Sequence, residues 1–176
     1  LGAREMLYLA RQQPNQTFEL RFSKSLNGEN GYVVLTRLSD FNEFLRNGDE
    51  DVRQDLFDSN VRDFQGSTEV NKDISDTLSG TAEVDFWWLN NGVTVLSSNA
   101  TLIGDAVKIE NPQIVNGLQT SSQIAAFFES GGEADKRVVM VKIVASEDEA
   151  VRDQIIKATN SQNSVPLASL RATDKV

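Results

Sequence analysis

The sequence contains no cysteine and no histidine. The first absence excludes disulfides and thiolate metal sites, and the second removes the commonest general base and the commonest metal ligand. Serine–histidine hydrolases, His-Asp nucleases and HD-type phosphohydrolases are therefore beyond what these residues can do. No apolar run approaches the ~20 residues of a membrane span, and no basic-then-apolar signal opens the chain. A cytoplasmic protein with no membrane partner is expected. Positive charge is also scarce: 17 Lys and Arg against 26 Asp and Glu leave a net charge of −9. That balance argues against a nucleic-acid coat held by global charge, although a local basic site is still allowed.

Two phosphate motifs are missing as well. A P-loop needs G-x-x-x-x-G-K-[ST], and none of the lysines follows a glycine; no G-x-G-x-x-G is present. A PD-(D/E)xK nuclease needs an acid two positions before its lysine, where every lysine here has Phe, Val, Ala, Met, Ile or Thr.

What is present is enough chain for a core. A length of 176 residues fits one domain and buries roughly two-thirds of its unfolded surface. Leu1 in place of an initiator Met, and an end that stops mid-pattern in "LRATDKV", lead to the expectation of a piece of a longer protein. "TFELRFSK" alternates Phe18, Leu20 and Phe22 and predicts a strand, paired through a five-residue "NGENG" loop with "YVVLTRL" as a hairpin. "SDFNEFLRN" predicts a helix capped by Ser39 or Asp40. Residues 49–80 read as interrupted helix, with the acids of "NGDEDVRQDLFD" on a solvated face.

Strands are then predicted at "VDFWWL", "VTVLSS", "ATLIG", "AVKIE" and "PQIV", followed by a helix at 121–129. "RVVMVKIVA" has the composition of a strand buried on both faces. Ser146 and Glu149 form a capping box for "EDEAVRDQIIKAT", and a short helix "LASLRA" closes the chain. Strands lead into helices twice, so the fold class is α+β or α/β, a mixed sheet flanked by helices. Residues 1–48 form an N-terminal hairpin-and-helix lobe leaning on a core at 49–176; one hairpin and one helix bury too little to stand alone.

The positive chemical signal is carboxamide clusters at element ends: "DSNVRDF", "WWLNNGVTV", "NPQIVNGLQTSSQ" and "ATNSQNSVP". Carboxamides donate and accept at once, which suits base edges, ribose hydroxyls or peptide backbone. Each cluster also has a plainer account. Asn90, Asn91 and Gly92 suit a three-residue hairpin loop with glycine in the left-handed region; of Trp87 and Trp88, on opposite faces of a strand, one is core and the other a candidate stacking platform.

In "IVNGLQT" a structural turn with a Thr120 or Ser121 cap accounts for Asn116 and Gly117 but leaves Gln119 idle; the alternative is an anion or nucleotide seat at the helix start. Asn160, Gln162 and Asn163 exceed what a helix C-cap needs. Arg62 either pairs with Asp58 or Asp63 or clamps a phosphate.

"LFDSNVRDFQGSTEVNKDISDTL", "FWWLNNGVTVL", "NPQIVNGLQTSSQI" and "IIKATNSQNSV…LRATD", taken in order over about residues 50–176, resemble the successive motifs of the AIPR family, the abortive-infection phage-resistance proteins of bacteria. The resemblance implies phage defence, often beside restriction-modification genes, without an established catalytic mechanism. Thr173-Asp174 stands where the family often has Asn-Asp. "IVNGLQTSSQI" is also similar to the DGQHR or DGQQR strand-turn-helix of ParB-like proteins, which implies a nucleotide or phosphate site at the turn. Asn116 replaces the acid there and no His or Arg follows Gln119, a change compatible with binding and not with acid–base cleavage.

Three functions follow. The first is a nucleotide- or nucleic-acid-binding module of a defence protein, with Asn90, Asn91, Gly92, Asn116, Gly117, Gln119, Thr120, Asn160, Gln162 and Asn163 round one cleft and Arg62 on phosphate. The second is a non-catalytic interaction or sensing domain whose partner is a phage or defence-system protein. The third is a hydrolase or nuclease with Asp63, Glu83, Asp85 and Asp105 as candidate carboxylates, Glu83 and Asp85 sharing a strand face. No cofactor is expected for the first two, and a divalent metal for the third.

Overall fold

Phe18 and Leu20 are buried while Thr17, Glu19 and Arg21 face solvent, so the alternation in "TFELR" builds β1 (Thr17–Arg21). The computed structural model describes residues 16–57, 69–80, 84–133 and 136–161. The further strands are β2 (Lys24–Gly28), β3 (Gly31–Arg37), β4 (Val93–Ser97), β5 (Asn99–Ile103), β6 (Ala106–Glu110), β7 (Gln113–Asn116) and β8 (Val138–Ala145). The helices are α1 (Leu38–Arg46), α2 (Glu69–Ser79), α3 (Leu118–Glu129) and α4 (Glu149–Ser161). One sheet has the order β1-β6-β5 and is antiparallel. The other has the order β2-β3-β8-β4-β7, with β4 and β8 parallel and the remaining pairs antiparallel. The fold is α+β with a mixed sheet.

The core lies under α1. Leu38, Phe41, Phe44 and Leu45 recur at helical spacing and are all buried, and the Phe44 ring meets Phe18 edge-on at 5.6 Å and stacks with Phe41 at 5.9 Å. Aromatic pairs in these geometries add to the stabilisation from buried area. β4 is buried at all five positions, as expected of a β-branched run with neighbours on both edges. β8 has a longer apolar run, yet Lys142 is exposed; the strand buried throughout is β4.

Several local expectations are corrected. The hairpin is β2–β3, closed at Gly28 and Gly31, because the chain changes sheets at residues 22–23. There the Phe22 N–H donates to the Asp105 carbonyl and the Ser23 N–H to the Leu35 carbonyl, while the Thr36 hydroxyl donates to the Arg21 carbonyl. Neither Ser39 nor Asp40 caps α1: β3 runs straight into the helix at Arg37, and the Leu38 amide is satisfied by the Arg137 carbonyl at 3.1 Å. Residues 49–53 are not helical. A 3-10 turn follows at Gln54–Phe57, and Arg53 pairs with Asp49 and Asp55.

"VDFWWL" is no strand either. Phe86–Trp88 form a 3-10 turn in which Phe86 alone is buried and the Trp88 and Leu89 amides bond back to Asp85 and Phe86. Trp87 and Trp88 consequently stack on each other at 3.9 Å instead of pointing to opposite faces. The start of α4 is held by Asp148, whose carboxylate accepts from the Ala150 and Val151 amides, and the Ser146 hydroxyl accepts from the Asp148 amide; the expected Ser146–Glu149 box is not formed. The expected "LASLRA" helix lies outside the described residues.

Phe41 is 0% exposed and belongs to the aromatic group that fixes α1, so Phe41→Ala should lower the unfolding free energy by about 3–5 kcal/mol. Urea denaturation would read this as a lower midpoint at an unchanged slope; a loss below about 1 kcal/mol contradicts the packing described.

Candidate functional site

β4 and β7 are antiparallel with Thr94 opposite Asn116, so the start of one strand and the end of the other lie together. Two glycines there have positive φ: Gly92 at 79° and Gly117 at 87°. A Cβ on Gly117 would sit 2.6 Å from the Gly92 carbonyl oxygen, and one on Gly92 would sit 2.4 Å from the Met140 carbonyl oxygen. Both positions therefore need glycine twice over, for the left-handed conformation and for the close approach of backbone to backbone.

Asn90 ties this turn to the helix behind it. Its Oδ1 accepts from the Gly92 N–H at 2.6 Å, and its Nδ2 donates to the Thr120 hydroxyl at 3.0 Å. Thr120 is buried at 6% exposure. Asn116 Nδ2 donates to the Thr159 carbonyl at 3.1 Å, fastening the last turn of α4 to the end of β7. Gly117 is the N-cap of α3, which has no side-chain cap; neither Thr120 nor Ser121 fills that role, since the Ser121 hydroxyl bonds back to the Gly117 carbonyl. The amides of the first turn of α3 thus retain the partial positive charge of an uncapped helix N-terminus.

A cavity of about 590 Å³ opens over these elements, within the size range of small-molecule sites. Asn90, Asn91 and Gly92 form one wall, residues 115–120 a second, Asn160 a third, and α2 with Phe86 and Leu89 the remainder. The α2 contribution is Asp73, Ile74 and Thr77. Arg137 anchors that helix by donating to the Leu78 carbonyl at 2.8 Å, its guanidinium 5.4 Å from the Phe127 ring.

The cavity brings together eight of the residues singled out from the sequence: Asn90, Asn91, Gly92, Asn116, Gly117, Gln119, Thr120 and Asn160. Arg62, Gln162 and Asn163 lie outside the described residues. Asn90, Asn116 and Thr120 have structural partners. The side chains of Asn91, Gln119 and Asn160 make no hydrogen bond to another described residue.

Asp73 and Thr77 were missed. The available signal was helical spacing, since Ile74 marks the inner face of α2 and Asp73 and Thr77 adjoin it. Asp73 is the charged side chain among the described residues of the lining, and no Lys or Arg is among them.

The carboxylate alternative gains no geometry. Asp63 and Glu83 lie outside the described residues, Asp85 precedes the 3-10 turn and is not in a strand, and Asp105 sits at the exposed β5–β6 turn. Among the described residues, no group of three or more acidic side chains could hold a metal ion, and no helix is long and apolar enough to cross a membrane.

The family model described as AIPR protein matches residues 57–176, which is more than half of the chain and includes every wall of the cavity. No curated protein and no solved structure matches.

Two glycines separate conformational strain from close packing. Gly104 has φ of 59° with nothing within 4 Å of a new Cβ, so Gly104→Ala should cost about 1 kcal/mol. Gly117→Ala adds the collision with Gly92 and should cost about 2–5 kcal/mol. Chemical denaturation of both variants checks the difference; equal losses would mean that the Gly117–Gly92 contact is not as close as described.

Proposed function

Because the chain belongs to the AIPR protein family, we propose that it is a domain of a bacterial phage-defence protein of the abortive-infection kind, and that it binds a nucleotide or nucleic acid in the carboxamide-lined cavity. The observation that carries the binding half is the unengaged state of Asn91, Gln119 and Asn160. They come from three separate elements, line one cavity, and have no hydrogen-bonding work among the described residues. Turn formation explains Asn90 and Asn116 and leaves these three unexplained. The uncapped first turn of α3 supports the same reading, since helix N-termini favour anionic groups.

A second reading has its own observation. Val84, Trp88 and Leu89 are 48%, 67% and 53% exposed within one short segment, and exposed aromatic and aliphatic groups of this kind serve as anchors for protein partners. The partner would be a phage component or another defence subunit. Under that reading Trp88→Ala removes phage protection and leaves any ligand response intact.

The test is thermal melting with nucleoside mono- and triphosphates and with short single-stranded DNA. A ligand at a hundred times its Kd contributes about 2.7 kcal/mol, a rise of roughly 5–10 °C for a chain of this size. Asn91→Ala and Gln119→Ala should abolish that rise while moving the ligand-free stability by only about 0.5 kcal/mol, because neither side chain hydrogen-bonds another described residue. Full ligand response in both variants, with unimpaired plating efficiency against phage, overturns the reading.

A further inference from the structure

Asp73 sits badly with a cavity built for phosphate. Its carboxylate makes no ion pair or hydrogen bond with another described residue, and its backbone carbonyl accepts from the Thr77 hydroxyl one turn on, at 2.8 Å. No Lys or Arg among the described residues lines the same space. A phosphate placed against Asp73 would meet like charge, and no basic side chain among the described residues of the lining offsets it. A carboxylate only accepts hydrogen bonds, and its two oxygens accept from two adjacent donors in parallel.

The residues beside it point to the same kind of ligand. Ile74, Phe86 and Leu89 add apolar groups to the cavity lining, suited to the face of a flat ring. The same lining carries Asn91, Gln119 and Asn160, each able to donate and accept.

Resting on the nucleotide-binding reading above, we infer that Asp73 is the acceptor for a pair of adjacent N–H or O–H donors on the uncharged end of the ligand, which lies against α2 with any phosphate directed away from it. Two parts of a nucleoside offer such a pair: the guanine edge, through its ring N–H and exocyclic amino group, and the ribose 2′,3′-diol. The carboxamides read the remaining edge.

Calorimetric titration of the protein with guanosine, 2′-deoxyguanosine and adenosine tests this, using wild type, Asp73→Asn and Gln119→Ala. Binding of both guanine nucleosides but not adenosine identifies the base edge as the paired donor. Binding of guanosine and adenosine but not the deoxynucleoside identifies the diol. In either case Asp73→Asn should weaken binding by roughly 10- to 100-fold, the usual loss for charge-assisted hydrogen bonds. Its ligand-free melting temperature should stay within about 2 °C of wild type, since Asp73 is exposed and its carboxylate makes no hydrogen bond or ion pair with another described residue.

Two results overturn the inference. If phosphate-bearing nucleotides bind in a Gln119-dependent way, and Asp73→Asn leaves that binding unchanged or tightens it, the role of Asp73 falls while the nucleotide-binding reading stands. If no nucleoside, nucleotide or oligonucleotide binds at all, both fall together.

Discussion

The geometry of the site depends on a stack of three backbones. Gly117 lies on Gly92, and Gly92 lies on the Met140 carbonyl, each at a distance no Cβ would allow. β4 reaches that position through its parallel pairing with β8, in which Val93 faces Val141, and β7 reaches it through its antiparallel pairing with β4. Bare backbone at both points lets the β7–α3 turn settle directly onto the start of β4. The first turn of α3 then lies beside residues 90–92, and α2 adds Asp73, Ile74 and Thr77 to the same lining. A side chain at either glycine would push the helix N-terminus away from the sheet and open the cavity wall.

On that base the carboxamides divide into two groups. Asn90 and Asn116 are construction: one satisfies the Gly92 amide and reaches the buried Thr120 hydroxyl, the other holds a carbonyl at the end of α4. Both carboxamides are already hydrogen-bonded within the fold, one of them to the buried Thr120 hydroxyl, which must be paired, so these two side chains have little freedom to serve a ligand. Asn91, Gln119 and Asn160 line the same cavity and hydrogen-bond no other described residue through their side chains. Neighbouring residues of one chemical type thus separate into scaffold and candidate contacts according to whether the backbone has already claimed their hydrogen bonds.

That division also marks what was legible in the sequence. Strand alternation in "TFELR", the helical spacing of Phe41, Phe44 and Leu45, and the glycine turn at 117 were readable because local periodicity and backbone sterics leave few alternatives. Residues 90–92, 116–120 and 160 were legible as polar positions at or beside element ends. "VDFWWL" misled because its β-type composition was overridden by a single buried residue, Phe86, and by i to i+3 backbone bonds. Ser39 and Asp40 look like caps only until the Arg137 carbonyl, distant in sequence, supplies the acceptor for Leu38. Asp73 went unread because it joins the carboxamides only in the lining of one cavity, which no local window contains.

The family match begins at residue 57, yet the folding unit cannot begin there. β1 pairs with β6 along its whole length and β3 with β8 over seven positions, so both sheets draw strands from before the matched region. Without residues 17–46, β6 and β8 would each present an open edge, which natural sheets cover or blunt. The core would also lose Phe18, Leu20, Phe41 and Phe44, among its largest fully buried side chains. β8 is the strand on whose Met140 carbonyl the glycine stack rests, and β3 is its neighbour on the side away from β4. The residues that line the cavity therefore belong to the matched region, while the strand beneath them is held in register partly by residues outside it.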